Sequence, residues 1–122
     1  KEISYINSQG YAAGELKHGT ISLIDKGTPV FAIVTEKAIA DKTISNIKEC
    51  KARGADITFI VSEDLDVKDD FYNQKIVIPT NHKTIQSVLT VIPLQLIAYE
   101  IAKLRKCDID KPKNLAKSVT VE

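Results

Sequence analysis

Gly14 to Gly19 reads Gly-Glu-Leu-Lys-His-Gly, and its histidine, His18, is flanked by Lys17 and Gly19. An imidazole in such polar surroundings exchanges protons near neutral pH. On its own, the same residue reads as a histidine on a surface loop. The last residues, Asn114 to Glu122, run Asn-Leu-Ala-Lys-Ser-Val-Thr-Val-Glu. Chain termini are by default poorly ordered, but this mixture of apolar and polar residues could pack. A lysine held in a partly desolvated pocket can lose its proton and attack a carbonyl to form a Schiff base. Lys111, Lys113 and Lys117 could equally form a solvated basic face. Glu2 is an acid at the start of an apolar-periodic segment and carries almost no signal alone. His82, between Asn81 and Lys83, reads as a helix-start residue.

Other chemistries find no support. The chain has no Gly-x-Gly-x-x-Gly and no P-loop, so a standard cradle for nucleotide phosphates is not expected. No Cys/His spacing makes a metal site, and neither metal nor cofactor is expected. The 122 residues carry 17 Lys and Arg against 16 Asp and Glu, a net charge of +1. A dedicated nucleic-acid binder would show a basic excess. No apolar run approaches the ~18 residues of a membrane span, so no membrane partner is expected. The two cysteines, Cys50 and Cys107, are too few for a disulfide scaffold and suit a reducing cytosol; the expected location is cytoplasmic. With no signal-peptide pattern and a first residue that is Lys1 rather than Met, the chain is expected to belong to a longer protein.

The elements that must position these residues alternate in type. Val30 to Thr35 is a short apolar run with β-branched members after Gly27-Thr28-Pro29, the pattern of a buried strand. Glu36 to Arg53 repeats Ala40, Ile44, Ile47 and Cys50 at helical spacing and stops at Gly54, which tolerates the left-handed conformation. Ile57 to Val61 predicts a second strand, Ser62 to Asn73 a polar loop, and Lys75 to Pro79 a third strand. From about Thr84 to Arg105, Ile85, Val88, Leu89, Ile92, Leu96, Ile97, Ile101 and Leu104 mark a helix with a broad apolar stripe. Pro93 should kink it. Such a stripe suggests burial against a sheet and against a second subunit. Glu2 to Leu16 could be one helix before a turn, although Gly10, Gly14 and Gly19 interrupt it. Asp108 to Glu122 reads as an extended polar tail. Strand–helix–strand crossovers of this length imply parallel strands in a three-layer α/β/α sandwich. At roughly 100–200 residues per domain, residues 1–122 form one domain, with an α/β core over about 1–107 and a tail over 108–122.

Three segments in one order carry a resemblance: Tyr11 to Gly19 (Tyr-Ala-Ala-Gly-Glu-Leu-Lys-His-Gly), Ile92 to Leu96 (Ile-Pro-Leu-Gln-Leu), and Asn114 to Glu122. Together they resemble the C-terminal part of the glutamine–fructose-6-phosphate aminotransferases, also called glucosamine-6-phosphate synthases. The resemblance spans essentially the whole chain, and its tail motif is long and specific. It implies the second of two sugar-isomerase (SIS) subdomains, a parallel α/β/α sandwich. It further implies a parent enzyme that turns fructose 6-phosphate and glutamine-derived ammonia into glucosamine 6-phosphate. By the same resemblance, Lys117 forms the Schiff base with the open-chain sugar. His18, contributed by the neighbouring subunit, opens the ring. Glu2 moves the proton between C1 and C2, and Ala116 brings backbone close to the substrate. The implied partners are the sugar phosphate, a glutaminase domain, a first SIS subdomain, and a second copy in a homodimer. Asn7 to Gly10 departs from the His-Ala-Glu-Ala-like stretch of many relatives, and Thr20 replaces a usual proline. The Ser/Thr-rich loops that hold the sugar phosphate belong to the first subdomain, so the 122-residue chain alone is expected to be inactive. The alternative is a non-catalytic SIS module that binds a sugar phosphate or mediates dimerisation.

Overall fold

A computed structural model describes residues 1–68 and 70–113, which form two compact units. One comprises Tyr11–Thr90. The other joins Lys1–Gly10 to the chain from Val91 onward.

The Tyr11–Thr90 unit is built on three parallel strands in the order β1-β2-β3: β1 Pro29–Val34, β2 Asp56–Ser62 and β3 Gln74–Ile78. Val30 pairs with Ile57, Ala32 with Phe59 and Val34 with Val61. Side chains alternate between faces along a strand, so these six share one face. Helix α1, Ala40–Ala52, follows β1 after a short 3-10 turn at Lys37–Ile39. It buries Ala40, Ile44, Ile47 and Cys50 in the same cluster as that face. The predicted periodicity is the one observed, with the helix starting later than Glu36. Phe59 is fully buried; its ring stacks on Tyr72 at 5.5 Å and meets Phe71 edge-on at 5.1 Å.

The end of α1 is set by Gly54. Its φ is +94°, and a Cβ there would lie 2.9 Å from the Lys26 Cα. Gly54 N–H donates to the Lys51 carbonyl and Ala55 N–H to that of Cys50, which satisfies carbonyls left open at a helix end. Among the described residues the β2–β3 connection carries no helix, yet Leu65 and Phe71 are buried in the core. Asn73 ties it down: its Oδ1 accepts from Ile57 N–H at 2.9 Å and from Lys51 Nζ at 2.7 Å.

Helix α2, Lys83–Leu104, continues through Pro93 and begins in this unit. Gln86 donates from Nε2 to Ser62 Oγ at 3.3 Å and to the Pro79 carbonyl at 3.1 Å. Strand alternation puts Ser62 on the face opposite Phe59 and Val61. Helix therefore stands on both sides of the sheet, the parallel α/β arrangement expected.

Three expectations are corrected. Glu2 to Leu16 is not a helix: Lys1 to Tyr5 form one turn, and 3-10 turns follow at Ala13–His18 and Thr20–Leu23. Gly10 and Gly14 weaken a helix, and Tyr5 has a positive φ of 53° that an α-helix excludes. For the apolar stripe of α2, the expected burial against the sheet is corrected: Ile85, Val88, Ile92, Leu96 and Leu104 are exposed in the single chain. Finally, α2 is long and apolar enough to cross a membrane by length and composition. Its Thr, Ser and Gln residues break up any continuous run, so run length alone had missed it.

Candidate functional site

The turn bearing Glu2 is the first part of the site. Tyr5 N–H donates to the Lys1 carbonyl at 3.0 Å, closing the turn. Ser4 is buried, and its hydroxyl donates to the Ala98 carbonyl on α2 at 2.8 Å. Glu2 itself is exposed and lines an open groove of about 460 Å³ with Ile3, Ser4, Ser8 and Ala98. A carboxylate in an open groove can accept a proton from a bound molecule.

The incoming tail meets this turn. Lys106 adopts a φ of 57° just after α2. Asp108 Oδ1 accepts from Lys111 N–H at 2.9 Å. Lys113 N–H then donates to the Tyr5 hydroxyl at 2.8 Å, and its ammonium lies 5.1 Å from the centre of the Tyr5 ring. Ala116 and Lys117 lie outside the described residues.

His18 belongs to the Tyr11–Thr90 unit. It ends the 3-10 turn Ala13–His18, and Gly19 after it has a φ of 137°. Leu16 packs partly buried against the core, while Lys17 Nζ pairs with Glu49 on α1 at 2.7 Å. These two contacts fasten the turn and leave the imidazole out. His18 is exposed, with Nδ1 3.2 Å from Glu15 Oε2. His82 has the helix-start role expected of it: Nδ1 accepts from Thr84 N–H at 3.3 Å. Cys50 is fully buried, and burial pushes its thiol pKa up, the opposite of what a thiolate nucleophile needs.

Sequence reasoning missed a second groove, of about 750 Å³, between α1 and the β2–β3 connection. Ile44 and Leu65 form its apolar floor, and Lys48, Asp64 and Lys68 stand around it. The run of acids with Lys68 after β2 was the available signal, but it reads equally as a solvated loop. Among the described residues, no group of three or more His, Cys, Asp and Glu side chains could hold a metal ion.

Three parallel strands with helix on both sides of the sheet define a parallel α/β domain. The SIS domain profile matches residues 1–105, and the chain belongs to the SIS domain family. It is 52% identical, over all 122 residues, to the glutamine–fructose-6-phosphate aminotransferase [isomerizing] of Bacillus subtilis (strain 168) and 51% identical to that of Bacillus cereus (strain ATCC 14579). In each case it spans 20% of the relative's length, the C-terminal region. Among solved structures, it is similar to the C-terminal domain of glucosamine-fructose-6-phosphate aminotransferase from Francisella tularensis. There the TM-score is 0.84 and the identity 36%, over 89% of this chain and 31% of that one.

Proposed function

We propose that this chain is the C-terminal part of the isomerase half of a glutamine–fructose-6-phosphate aminotransferase. The observation that carries the reading is 52% identity across every residue of the chain to enzymes of that name. Lys117 is the amine that condenses with the C2 carbonyl of open-chain fructose 6-phosphate, releasing water and forming a Schiff base. His18 opens the sugar ring by proton transfer and serves the neighbouring subunit of a homodimer. Glutamine-derived ammonia displaces the Lys117 amine from C2, and Glu2 takes a proton from C1 and returns it to C2, the ketose-to-aldose shift. The main chain at Ala116 borders the substrate.

The remainder of the parent chain supplies the glutaminase domain, the ammonia and the loops that hold the sugar phosphate. The enzyme works in the cytoplasm, and the 122-residue chain alone makes no glucosamine 6-phosphate. Phe31 and Ile33, exposed on the sheet face that also carries Ile60, and the exposed stripe of α2 support this incompleteness. Apolar surface of that extent marks an interface.

A subunit-mixing experiment on the full-length protein tests the assignment. Lys117→Arg and His18→Ala homodimers should each be inactive. Random reassociation should return about a quarter of wild-type activity, because each mixed dimer of a twofold pair regains one intact site. Failure of the mixture to recover activity would remove the cross-subunit role of His18.

A further inference from the structure

We infer that Tyr5 is a positioning residue for the tail lysine: it fixes the main chain at Lys113 and so sets the point from which Lys117 reaches the sugar. The inference rests on the Schiff-base role proposed above. Tyr5 holds Lys113 twice, by its hydroxyl to the N–H at 2.8 Å and by its ring to the ammonium at 5.1 Å. A charge-assisted ring contact of this kind adds to a hydrogen bond and resists sliding along the chain.

The anchor is itself firmly set. A non-glycine residue in the left-handed region costs about 1–2 kcal/mol and persists where surrounding contacts over-determine it. Tyr5, with φ 53°, has such contacts: its N–H closes the turn onto Lys1, and neighbouring Ser4 is buried and bonded to the Ala98 carbonyl. The same turn carries Glu2. One short segment therefore bears the proposed C1–C2 base and grips the chain that leads to the proposed amine. Chain reach makes the grip consequential. Lys117 follows Lys113 by four positions in the sequence, and an extended chain covers at most about 14 Å over that span.

The test uses the full-length protein with Tyr5→Phe, which keeps the ring and deletes the hydroxyl, and Tyr5→Ala, which deletes both. Four quantities are read: kcat and KM for fructose 6-phosphate, the rate of borohydride trapping at Lys117, glutamine hydrolysis, and amide exchange at Lys113. Tyr5→Phe should lower kcat and trapping about three- to tenfold, the effect of one lost hydrogen bond. Tyr5→Ala should lower them further. KM should stay within about twofold, the split expected when positioning and not binding is lost. Glutamine hydrolysis should be unchanged, and the Lys113 amide should exchange faster. Wild-type kcat and wild-type Lys113 exchange in Tyr5→Phe would overturn the inference, as would a rise in KM alone. A parallel fall in glutamine hydrolysis would do the same. Should Tyr5→Ala fail to fold, Tyr5→Phe still decides. Trapping that survives Lys117→Arg would sink the Schiff-base reading instead, a result distinct from each of these.

Discussion

The β1–α1–β2–β3 unit and the unit made of the two chain ends are stabilised by different means. In the first, Phe59, Ile57, Ile60, Val61 and Cys50 are completely buried, and a contiguous apolar cluster joins sheet, helix and loop. In the second, the Glu2 turn is fixed by named polar contacts: Ser4 to Ala98, Tyr5 to Lys1, and Lys113 to Tyr5. Burial tolerates small shifts and depends on area, whereas a few directional bonds fix geometry and fail singly. The proposed base, Glu2, stands on such a polar-anchored turn.

The largest effect should come from emptying the core. Phe59→Ala removes a ring held between Phe71 and Tyr72 and should cost about 3–5 kcal/mol of unfolding free energy, as expected for buried aromatics. Chemical denaturation of the chain measures it; a loss below about 1 kcal/mol, the level of an ordinary surface change, would dissolve the contrast between the units. Next comes Gly54→Ala. The added Cβ meets the Lys26 main chain at 2.9 Å in a left-handed conformation, and the expected cost is about 1–3 kcal/mol. An unchanged denaturation midpoint would show that the turn reshapes freely.

The smallest effect is a pH dependence from Cys50. Burial raises its thiol pKa in the folded state above the ordinary 9.0. The unfolded chain therefore loses this proton first as pH rises. The stability that the neutral thiol contributes is complete below pH 9 and is lost as pH climbs through the folded-state value. Cys50→Ala should flatten the alkaline limb of the stability curve, compared at equal ionic strength. An identical slope in both proteins would exclude Cys50 as the titrating group.

The same contrast explains what could be read from the sequence. The strands at Pro29–Val34, Asp56–Ser62 and Gln74–Ile78 lie within a residue or two of their expected bounds, because period and β-branching report burial directly. Helix α1 was equally legible from Ala40, Ile44, Ile47 and Cys50. The Glu2 segment was not: its shape follows from Tyr5 holding a residue 108 positions away, and no local pattern encodes such a partner. Asn73 escaped for the same reason, since one side-chain oxygen serving both Ile57 and Lys51 leaves no periodic trace. For α2 the stripe was visible and its helical form was as expected. Its exposure was not, because periodicity states which face is apolar and not what covers it. The site roles of Glu2, His18 and Lys117 came from motif resemblance; the structure adds to these the exposure of Glu2 and His18 and the anchoring of their turns.

The central claim is that this chain supplies the amine of a sugar isomerase site. Borohydride reduction of the full-length protein with fructose 6-phosphate, followed by peptide mapping, tests it most directly. The adduct should form on Lys117 and vanish in Lys117→Arg. An adduct on another lysine, or one undiminished by that substitution, would contradict the account.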